Sequence, residues 1–226
     1  LATPVAVMVA SGRAARCGIL IKDAEMLELP AAVTTVVFDK TGTLTQGRPE
    51  VREVIPAPGQ SREELLRLAA AIEVLSEHPL ARAILAVAPP TPPATDFKAR
   101  PGFGAIGTVD GAEVCVGNRQ FMALLDVNFA PLQKEVTYAV TSGETVVFVA
   151  RSGEFVGMIS LADAPRGDSA GVVAELRRSG RRVVMLTGDD GTTAGAMAQR
   201  LGIDEVMAEV APTEKAARIK ELQEKG

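Results

Sequence analysis

The feature that most constrains this chain is an apolar run, residues 34–38, that leads into the sequence Asp-Lys-Thr-Gly-Thr-Leu-Thr beginning at Asp39. Threonine, valine and phenylalanine favour a buried β-strand, so the pattern predicts a strand whose carboxyl end presents Asp39. The glycine-containing turn that follows exposes backbone N–H groups, and Lys40 adds positive charge. These groups favour a nucleophile for phosphoryl transfer at Asp39. The alternative is an ordinary exposed turn after a core strand.

The residue two positions beyond Asp39 is Thr41. Soluble phosphatases of this general design usually carry a second aspartate there, which acts as general acid and base. A hydroxyl group cannot exchange a proton near neutral pH as a carboxylate can. We therefore expect a phosphate on Asp39 to persist, which suits a protein that changes shape before it is dephosphorylated.

The composition sets limits on the class of protein. With 226 residues, 47% of them hydrophobic, the chain can bury one large core or two smaller ones. Its net charge is -4 and neither sign forms long runs, so no nucleic-acid partner is expected. Cys17 and Cys115 lie far apart, which argues against disulfide or zinc frameworks and for a reducing compartment. We expect both to be small buried residues.

The amino-terminal residues allow two interpretations. Residues 1–10 are almost wholly apolar, and Arg13 and Arg16 follow them. This pattern fits either the inner end of a membrane helix with its basic flank or an ordinary amphipathic helix. No window holds the roughly 20 apolar residues that cross a bilayer.

Sequence patterns divide the chain into three regions. Residues 33–47 predict a strand and its catalytic loop, residues 50–151 an insert, and residues 155–226 an alternation of strands and helices. In the last region the predicted strands are 156–161, 183–186 and 205–207, and the predicted helices are 169–178, 192–201 and 214–224. This order predicts a parallel sheet with the strand before Asp39 at its centre and functional loops at its carboxyl edge.

The sequence pattern of the insert predicts helices and strands in mixed order. Its predicted helices are 61–75, one after Pro79, 119–125 and 131–141, with a hairpin at 104–116 and a strand at 144–150. The hairpin is indicated by alternating apolar residues around an Asp-Gly turn. The proline-rich run 89–93 excludes a helix and predicts a stiff connector.

A second candidate phosphate loop follows the predicted strand 183–186. The hydroxyl of Thr187 and the free N–H groups of the next helix are expected to bind phosphate oxygens, with Gly188 between them. Asp189 is expected to face magnesium or nucleotide. A plain helix cap is the alternative.

The run at Asp39 resembles the phosphorylation motif of P-type ATPases. Ser-Glu-His-Pro-Leu at 76–80 is similar to the nucleotide-site motif of their heavy-metal branch. The resemblance covers nearly all of the chain and implies an α/β fold, in which a haloacid-dehalogenase-like, Rossmann-like phosphorylation domain with a parallel sheet carries an inserted α+β nucleotide-binding domain. The implied division is an N-terminal segment following a membrane helix at 1–32, a phosphorylation domain at 33–48 and 153–226, and a nucleotide-binding domain at 49–152.

The resemblance also implies roles for single residues. His78 and Glu73 are expected to address adenine, and Lys215, after Pro212, is expected to be the catalytic lysine. Asp163 and Arg166 resemble an Asp-x-x-Arg loop that approaches nucleotide, although a solvated turn explains them nearly as well. The expected catalytic residues are Asp39, Lys40, Thr41, Thr187 and Lys215. The expected nucleotide-binding residues are Glu73, His78, Gly102, Gly104, Gly117, Asn118, Asp163, Arg166, Gly188 and Asp189.

The implied cofactors are ATP and Mg²⁺, the latter held by Asp39 and the backbone carbonyl of Thr41. The implied partners are the membrane and actuator domains of the same polypeptide and a transported heavy-metal ion, with copper(I) export expected, at the cytoplasmic face of a membrane. A Cys-Pro-Cys site is expected before Leu1 and a Gly-Asp-Gly-x-Asn-Asp loop after Gly226. We therefore expect feeble phosphorylation and no transport from these residues alone.

Two other functions remain open on the sequence. A soluble phosphatase of the same fold would release phosphate rapidly and would not need adenine, against which Thr41 and the His78 motif count. A nucleotide-binding fragment without catalysis would bind ATP and never acquire a covalent phosphate.

Overall fold

The computed structural model describes residues 2–22, 32–211 and 213–224, which form two β-sheets and the helices that pack on them. The strands are β1 (Thr35–Asp39), β2 (Thr45–Pro56), β3 (Thr95–Arg100), β4 (Gly104–Val109), β5 (Ala112–Gly117), β6 (Thr145–Arg151), β7 (Glu154–Pro165), β8 (Arg182–Leu186) and β9 (Glu205–Met207). The helices are α1 (Ala2–Arg16), α2 (Arg62–Glu73), α3 (Pro79–Val87), α4 (Arg119–Leu124), α5 (Gln133–Thr141), α6 (Ser169–Arg178), α7 (Gly191–Leu201) and α8 (Lys215–Glu224).

The smaller sheet, called here the catalytic sheet, contains β1, β8 and β9 in that order, all parallel. Asp39 lies opposite Leu186, so β1 and β8 end side by side. Apolar residues of β8 pack against α6 and α7, with Val183, Met185 and Met197 in one buried cluster. The loops that follow β1 and β8 therefore meet at one edge.

The larger sheet, called here the insert sheet, is antiparallel with the order β2-β7-β6-β5-β4-β3. Its two faces bury separate apolar clusters. Val147 and Val149 of β6 face the cluster under α2 and α3, while Val146 and Phe148 face the cluster under α4 and α5. Because both faces are covered, β6 is apolar along nearly its whole length rather than alternating.

The prediction that residues 156–161 belong to the parallel sheet is wrong. They lie within β7, which pairs antiparallel with β2 from Thr45 to Pro56. β2 was not predicted from the sequence, because Gly47, Pro49 and several charged residues weaken its strand pattern. Since this strand leaves the catalytic sheet, β8 and not β1 is central among the described strands of that sheet.

The remaining secondary structure agrees closely with the sequence, except that β3 was also not predicted. The strand before Asp39, the hairpin of β4 and β5, and helices α2 to α8 all form. The position chosen for the first domain boundary, 48/49, lies inside β2, and β7 begins directly after 152/153. The division into domains stays a prediction.

The amino-terminal helix α1 carries the apolar residues 5–10 and ends at Arg16. Within residues 2–22, 32–211 and 213–224, no helix combines the length and apolar character needed to span a membrane. Residues 23–31 of the predicted segment 1–32, and Pro212, lie outside the described residues. Cys115 is buried as expected, but Cys17 is exposed because it follows the end of α1.

Candidate active site

Asp39 occupies the carboxyl end of β1, and its side chain is 45% exposed. The chain then turns sharply through Gly42, which has a φ of 76° that glycine adopts without steric cost. The backbone N–H of Gly42 donates to the hydroxyl of Thr45 at 3.1 Å, which closes the turn. We call residues 40–45 the catalytic loop. It leaves the Asp39 carboxylate accessible while its own backbone is held.

Two lysines lie at this edge, and the structure gives them different partners. The Nζ atom of Lys215 donates to Oδ1 of Asp39 at 2.8 Å. Lys40 is only 6% exposed, and its ammonium forms an ion pair with the carboxylate of Asp189. Four charged groups therefore alternate in sign along the site, and Lys215 is the cation in direct contact with Asp39.

The loop 187–189 follows β8 and lies beside Asp39. Thr187 is buried; its hydroxyl accepts from the N–H of Asp189 at 3.1 Å, and its own N–H donates to the carbonyl of Met207 at 2.9 Å. Gly188, between them, is exposed. The sequence prediction that loops at the strand ends come together is confirmed for Asp39 and this loop.

The expectation that the first N–H groups of α7 are free to bind phosphate is wrong for Thr192 and Thr193. Asp190 caps this helix: its Oδ1 accepts from the N–H groups of Thr192 at 3.0 Å and Thr193 at 3.1 Å. Aspartate is a preferred cap because it satisfies these otherwise unpaired donors. Phosphate at this edge therefore has to find other donors.

Asp163 lies within β7 and reaches back to the catalytic loop. Its carboxylate accepts from the hydroxyl of Thr45 at 2.5 Å, from the N–H of Gly47 at 3.2 Å and from the N–H of Arg48 at 3.1 Å. Both oxygens are therefore engaged. This role of Asp163 was not predicted from the sequence, although Thr45, which ends the seven-residue run, is a typical partner for backbone groups in a turn.

Arg166, three residues beyond Asp163, is joined to the same loop through its backbone. Its N–H donates to the carbonyl of Leu44 at 2.9 Å. Its guanidinium is 53% exposed and lies 3.6 Å from Asp168. The side chain is accessible from solvent, and its contact with nucleotide stays a prediction.

His78 precedes α3 and caps it. Its Nδ1 accepts from the N–H of Leu80 at 3.3 Å, so the remaining proton of the neutral ring resides on Nε2. Although much of the ring is accessible to solvent, desolvation lowers its pKa, and the negative charge of Asp189 acts in the opposite direction. His78 therefore lies within electrostatic reach of the catalytic edge, and the neutral form of its ring is favoured.

Glu73 ends α2, five residues before His78. Burial raises the pKa of this carboxyl, and a hydrogen bond to Ser76 partly opposes the shift. The two residues expected to address adenine thus belong to one connection between two helices, and the protein disfavours charge on both. A partly enclosed surface on which charge is disfavoured is suited to a nucleobase rather than to phosphate.

Close packing of the backbone explains why glycine occurs at two of the expected nucleotide-binding positions of the insert. A Cβ atom on Gly104, whose φ is 148°, would lie 2.1 Å from the carbonyl oxygen of Val116. One on Gly117 would lie 2.4 Å from the carbonyl oxygen of Phe103. Close packing of β4 on β5 therefore requires both, while a Cβ on Gly102 would meet nothing within 4 Å.

Asn118 directly follows Gly117, the last residue of β5. Its side-chain amide donates to the carbonyl of Gly102 at 2.7 Å, and its Oδ1 accepts from the N–H of Phe121 at 2.9 Å, capping α4. These bonds fix the shape of the Gly102–Asn118 element. Nucleotide contacts by its members stay predictions.

Comparison with known proteins places the chain in a family. Residues 33–226 match the sequence profile of haloacid dehalogenase-like hydrolases. The chain belongs to the haloacid dehalogenase-like hydrolase family. Asp39 lies at the carboxyl end of β1 within the matched residues, and the expected α/β fold is confirmed.

Curated relatives support the resemblance to heavy-metal P-type ATPases. This haloacid dehalogenase-like chain is 43% identical to a probable copper-transporting ATPase of Synechococcus elongatus and 46% identical to a copper-exporting P-type ATPase of Mycobacterium leprae. Each alignment covers 100% of this chain but only 31% and 29% of the relative. The chain thus spans about a third of the length of these curated relatives.

Solved structures also support the resemblance to heavy-metal P-type ATPases. A zinc-transporting PIB-type ATPase in the E2.Pi state is 37% identical with a TM-score of 0.68, over 99% of this chain and 37% of that one. The catalytic domain of the CPx-ATPase CopB-B, studied upon nucleotide binding, is 26% identical with a TM-score of 0.71, over 96% of this chain and 77% of that one. The predicted resemblance is confirmed.

Proposed function

We propose that this chain is the ATP-binding and autophosphorylating catalytic portion of a heavy-metal-transporting P-type ATPase, with Asp39 as the residue that is phosphorylated. The single observation that carries the proposal is the pairing of an accessible Asp39 carboxylate with Lys215 at the carboxyl edge of a parallel sheet. A cation fixed beside a nucleophile can stabilise charge as a phosphoryl group arrives.

The reaction follows from the groups at this edge. An oxygen of Asp39 attacks the γ-phosphorus of ATP, the bond from that phosphorus to the bridging oxygen breaks, and ADP leaves with the electron pair. Lys215, which contacts the Asp39 carboxylate, stays beside the phosphoryl oxygens that gain negative charge as the bond forms. Because residue 41 is threonine, no carboxylate at that position assists hydrolysis, and the aspartyl phosphate persists.

Nucleotide is proposed to bind through the insert. Burial disfavours charge on both Glu73 and His78, which suits them to contact adenine, and His78 lies within electrostatic reach of Asp189. A base held there leaves the triphosphate to extend toward Asp39. Arg166, whose guanidinium is half-exposed, is the further candidate for a phosphate or ribose contact.

Mg²⁺ fits the oxygen donors at this edge. Among the described residues no cluster of three or more histidine, cysteine, aspartate or glutamate side chains forms a closed metal cage. Mg²⁺ typically uses one or two carboxylates together with substrate phosphates and water, for which Asp39 and the carbonyl of Thr41 are suited. When bound, the ion would offset negative charge on ATP.

The transported ion and the location are proposed from the relatives. Those named above as copper-transporting or copper-exporting are more similar in sequence than the zinc-transporting structure, which favours copper(I) as the cargo of the whole protein. Transport would need the membrane and actuator domains of the same polypeptide. The chain would then lie at the cytoplasmic face of a membrane.

The test is incubation with γ-labelled ATP and Mg²⁺, followed by an acid quench, beside the variant Asp39→Asn. We expect acid-stable label that hydroxylamine removes and that the variant lacks. Label that is absent, or that survives the substitution, would reject the enzyme function. Bound ATP without label would instead support a nucleotide-binding protein, and rapid release of phosphate from small phosphoesters would support a phosphatase.

A further inference from the structure

Glu209 adopts a left-handed backbone conformation beside the candidate active site, with a φ of 57°. This conformation is uncommon for any residue other than glycine, and it is tolerated best by asparagine and aspartate. Elsewhere in the described part of the chain the non-glycine residues with positive φ are Asp96, Asp110, Asp126 and Ser152. The longer side chain of Glu209 gives no comparable local reason for the bend.

Hydrogen bonds made at the bend hold the loop 187–189. The N–H of Glu209 donates to the carbonyl of Asp189 at 2.8 Å, and the N–H of Val210 donates to the carbonyl of Thr187 at 3.0 Å. These bonds lie just beyond the pairing of Leu186 with Met207, where the regular ladder between β8 and β9 ends. The bend thus extends the attachment of this segment to the very residues that line the site.

The same loop orients the charges around the nucleophile. Asp189, whose carbonyl accepts from Glu209, holds the ammonium of Lys40 with its carboxylate. Beyond the bend the chain leads to Glu214, whose Oε2 accepts from the N–H of Ala211 at 3.2 Å, and then to Lys215. A change of backbone direction at residue 209 would therefore disturb Asp189 on one side and the approach to Lys215 on the other.

We propose that Glu209 is a positioning residue whose left-handed backbone, rather than its carboxylate, sets the loop 187–189 for phosphoryl transfer. Its side chain is exposed and has no hydrogen-bond or ion-pair partner among the described residues. The inference rests on the proposed function, because the reaction that it concerns is the phosphorylation of Asp39.

The test compares three substitutions at one position. Glu209→Gln removes the charge and keeps the backbone preference, Glu209→Gly relieves the left-handed conformation, and Glu209→Val opposes it because a branched Cβ tolerates positive φ poorly. We expect Gln and Gly to retain the rate of phosphoenzyme formation to within about twofold. Glu209→Val should lower that rate by on the order of 10- to 100-fold while leaving the dissociation constant for ATP unchanged.

Asp126→Val is the matched control. Asp126 also has a left-handed backbone, with a φ of 54°, but it lies after α4 in the insert. Its valine variant should lose thermal stability as Glu209→Val does and keep the phosphorylation rate. A similar loss of rate in this control would show that strain acts on the whole fold, and it would overturn the inference.

The other outcomes are also decisive. A loss in Glu209→Gln as large as that in Glu209→Val would assign the role to the carboxylate, and a valine variant with the original rate would remove the role. If the unmodified chain forms no phosphoenzyme, the proposed function fails, and hydrogen exchange then decides the inference. Glu209→Val, but not Glu209→Gly, should speed amide exchange at residues 187–189, whereas unchanged exchange would contradict it.

Discussion

The catalytic sheet and the insert sheet solve different physical problems. The catalytic sheet is small and parallel, and its carboxyl edge gathers Asp39, Lys40, Asp189 and Lys215 into alternating charges. The insert sheet has six antiparallel strands with an apolar cluster on each face, and burial disfavours charge on the two residues expected to address adenine, Glu73 and His78. The comparison teaches that charge is concentrated where bonds would change, and that apolar support is placed where a base would be held.

The strands β2 and β7 join these two regions. Their ladder begins at the catalytic loop, where Thr45 is paired with Pro165, and ends in the insert, where Pro56 is paired with Gly157. Asp163 sits on this ladder and binds the catalytic loop. A change in either region is therefore expected to reach the other mainly along these two strands.

The largest effect is expected from Lys215→Ala, which removes the cation in contact with Asp39. We expect phosphoenzyme formation to fall by about 100-fold, as is typical when a charge-stabilising group is lost. Binding of ATP should change little, since the base is held by the insert. Lys220→Ala, on the exposed surface of the same helix, is the matched control; an equal loss there would show that the helix and not the contact matters.

A similar test on the insert is Gly104→Ala. The added Cβ would overlap the carbonyl oxygen of Val116, so we expect a loss of about 3 kcal/mol in the free energy of unfolding. Chemical denaturation measures this loss, and ATP affinity should fall with it. In Gly171→Ala, within α6, the Cβ meets nothing within 4 Å, and a gain of about 0.5 kcal/mol is expected. Equal stability of the two variants would refute the packing account.

The link between the regions is tested by Asp163→Asn. The substitution replaces one acceptor oxygen with a donor, so at least one of the three donors that face the carboxylate loses its acceptor. We expect a loss of about 2 kcal/mol in unfolding free energy. The phosphorylation rate should fall about 10-fold with the KM for ATP unchanged. Glu154→Gln, on an exposed residue of the same strand, is the control, and a raised KM alone would instead favour direct nucleotide contact by Asp163.

The smallest effect is expected from His78→Gln, on the pH dependence of stability. Because its pKa in the folded chain lies below the ordinary value of 6.5, the unfolded chain binds the proton more tightly. The contribution of His78 to stability is therefore complete above pH 6.5 and is lost as pH falls through the folded pKa. We expect His78→Gln to flatten the fall in stability between pH 7 and pH 5 and to weaken ATP binding. An unchanged pH profile and titration would reject both assignments.

Much of the fold followed from local patterns. The apolar run before Asp39 and the Asp-Gly turn each specify local structure, and the strand and the hairpin formed as predicted. β2 was missed because its charged alternate residues face solvent and its support comes from β7, more than one hundred positions away. Strand pairing over such a separation leaves no local signal, so the sheet assignment of residues 156–161 also failed.

The candidate active site also has parts that could be predicted from the sequence and parts that could not. The meeting of Asp39 with the loop 187–189 was predictable, because adjacent parallel strands end at one edge. The partner of Lys40 was not, since a flexible four-carbon side chain can reach phosphate or Asp189 equally well. The engagement of Asp163 by Thr45 depends on the unpredicted ladder between β2 and β7.

The most direct test of the account is to find which atom becomes phosphorylated. After reaction with ATP and Mg²⁺, borohydride reduction of an aspartyl phosphate converts that aspartate to homoserine, which peptide mass spectrometry can place in the sequence. If Asp39 is the residue that is phosphorylated, homoserine forms at position 39 and at no other aspartate. Homoserine at another position, or none when ATP is bound, would contradict it.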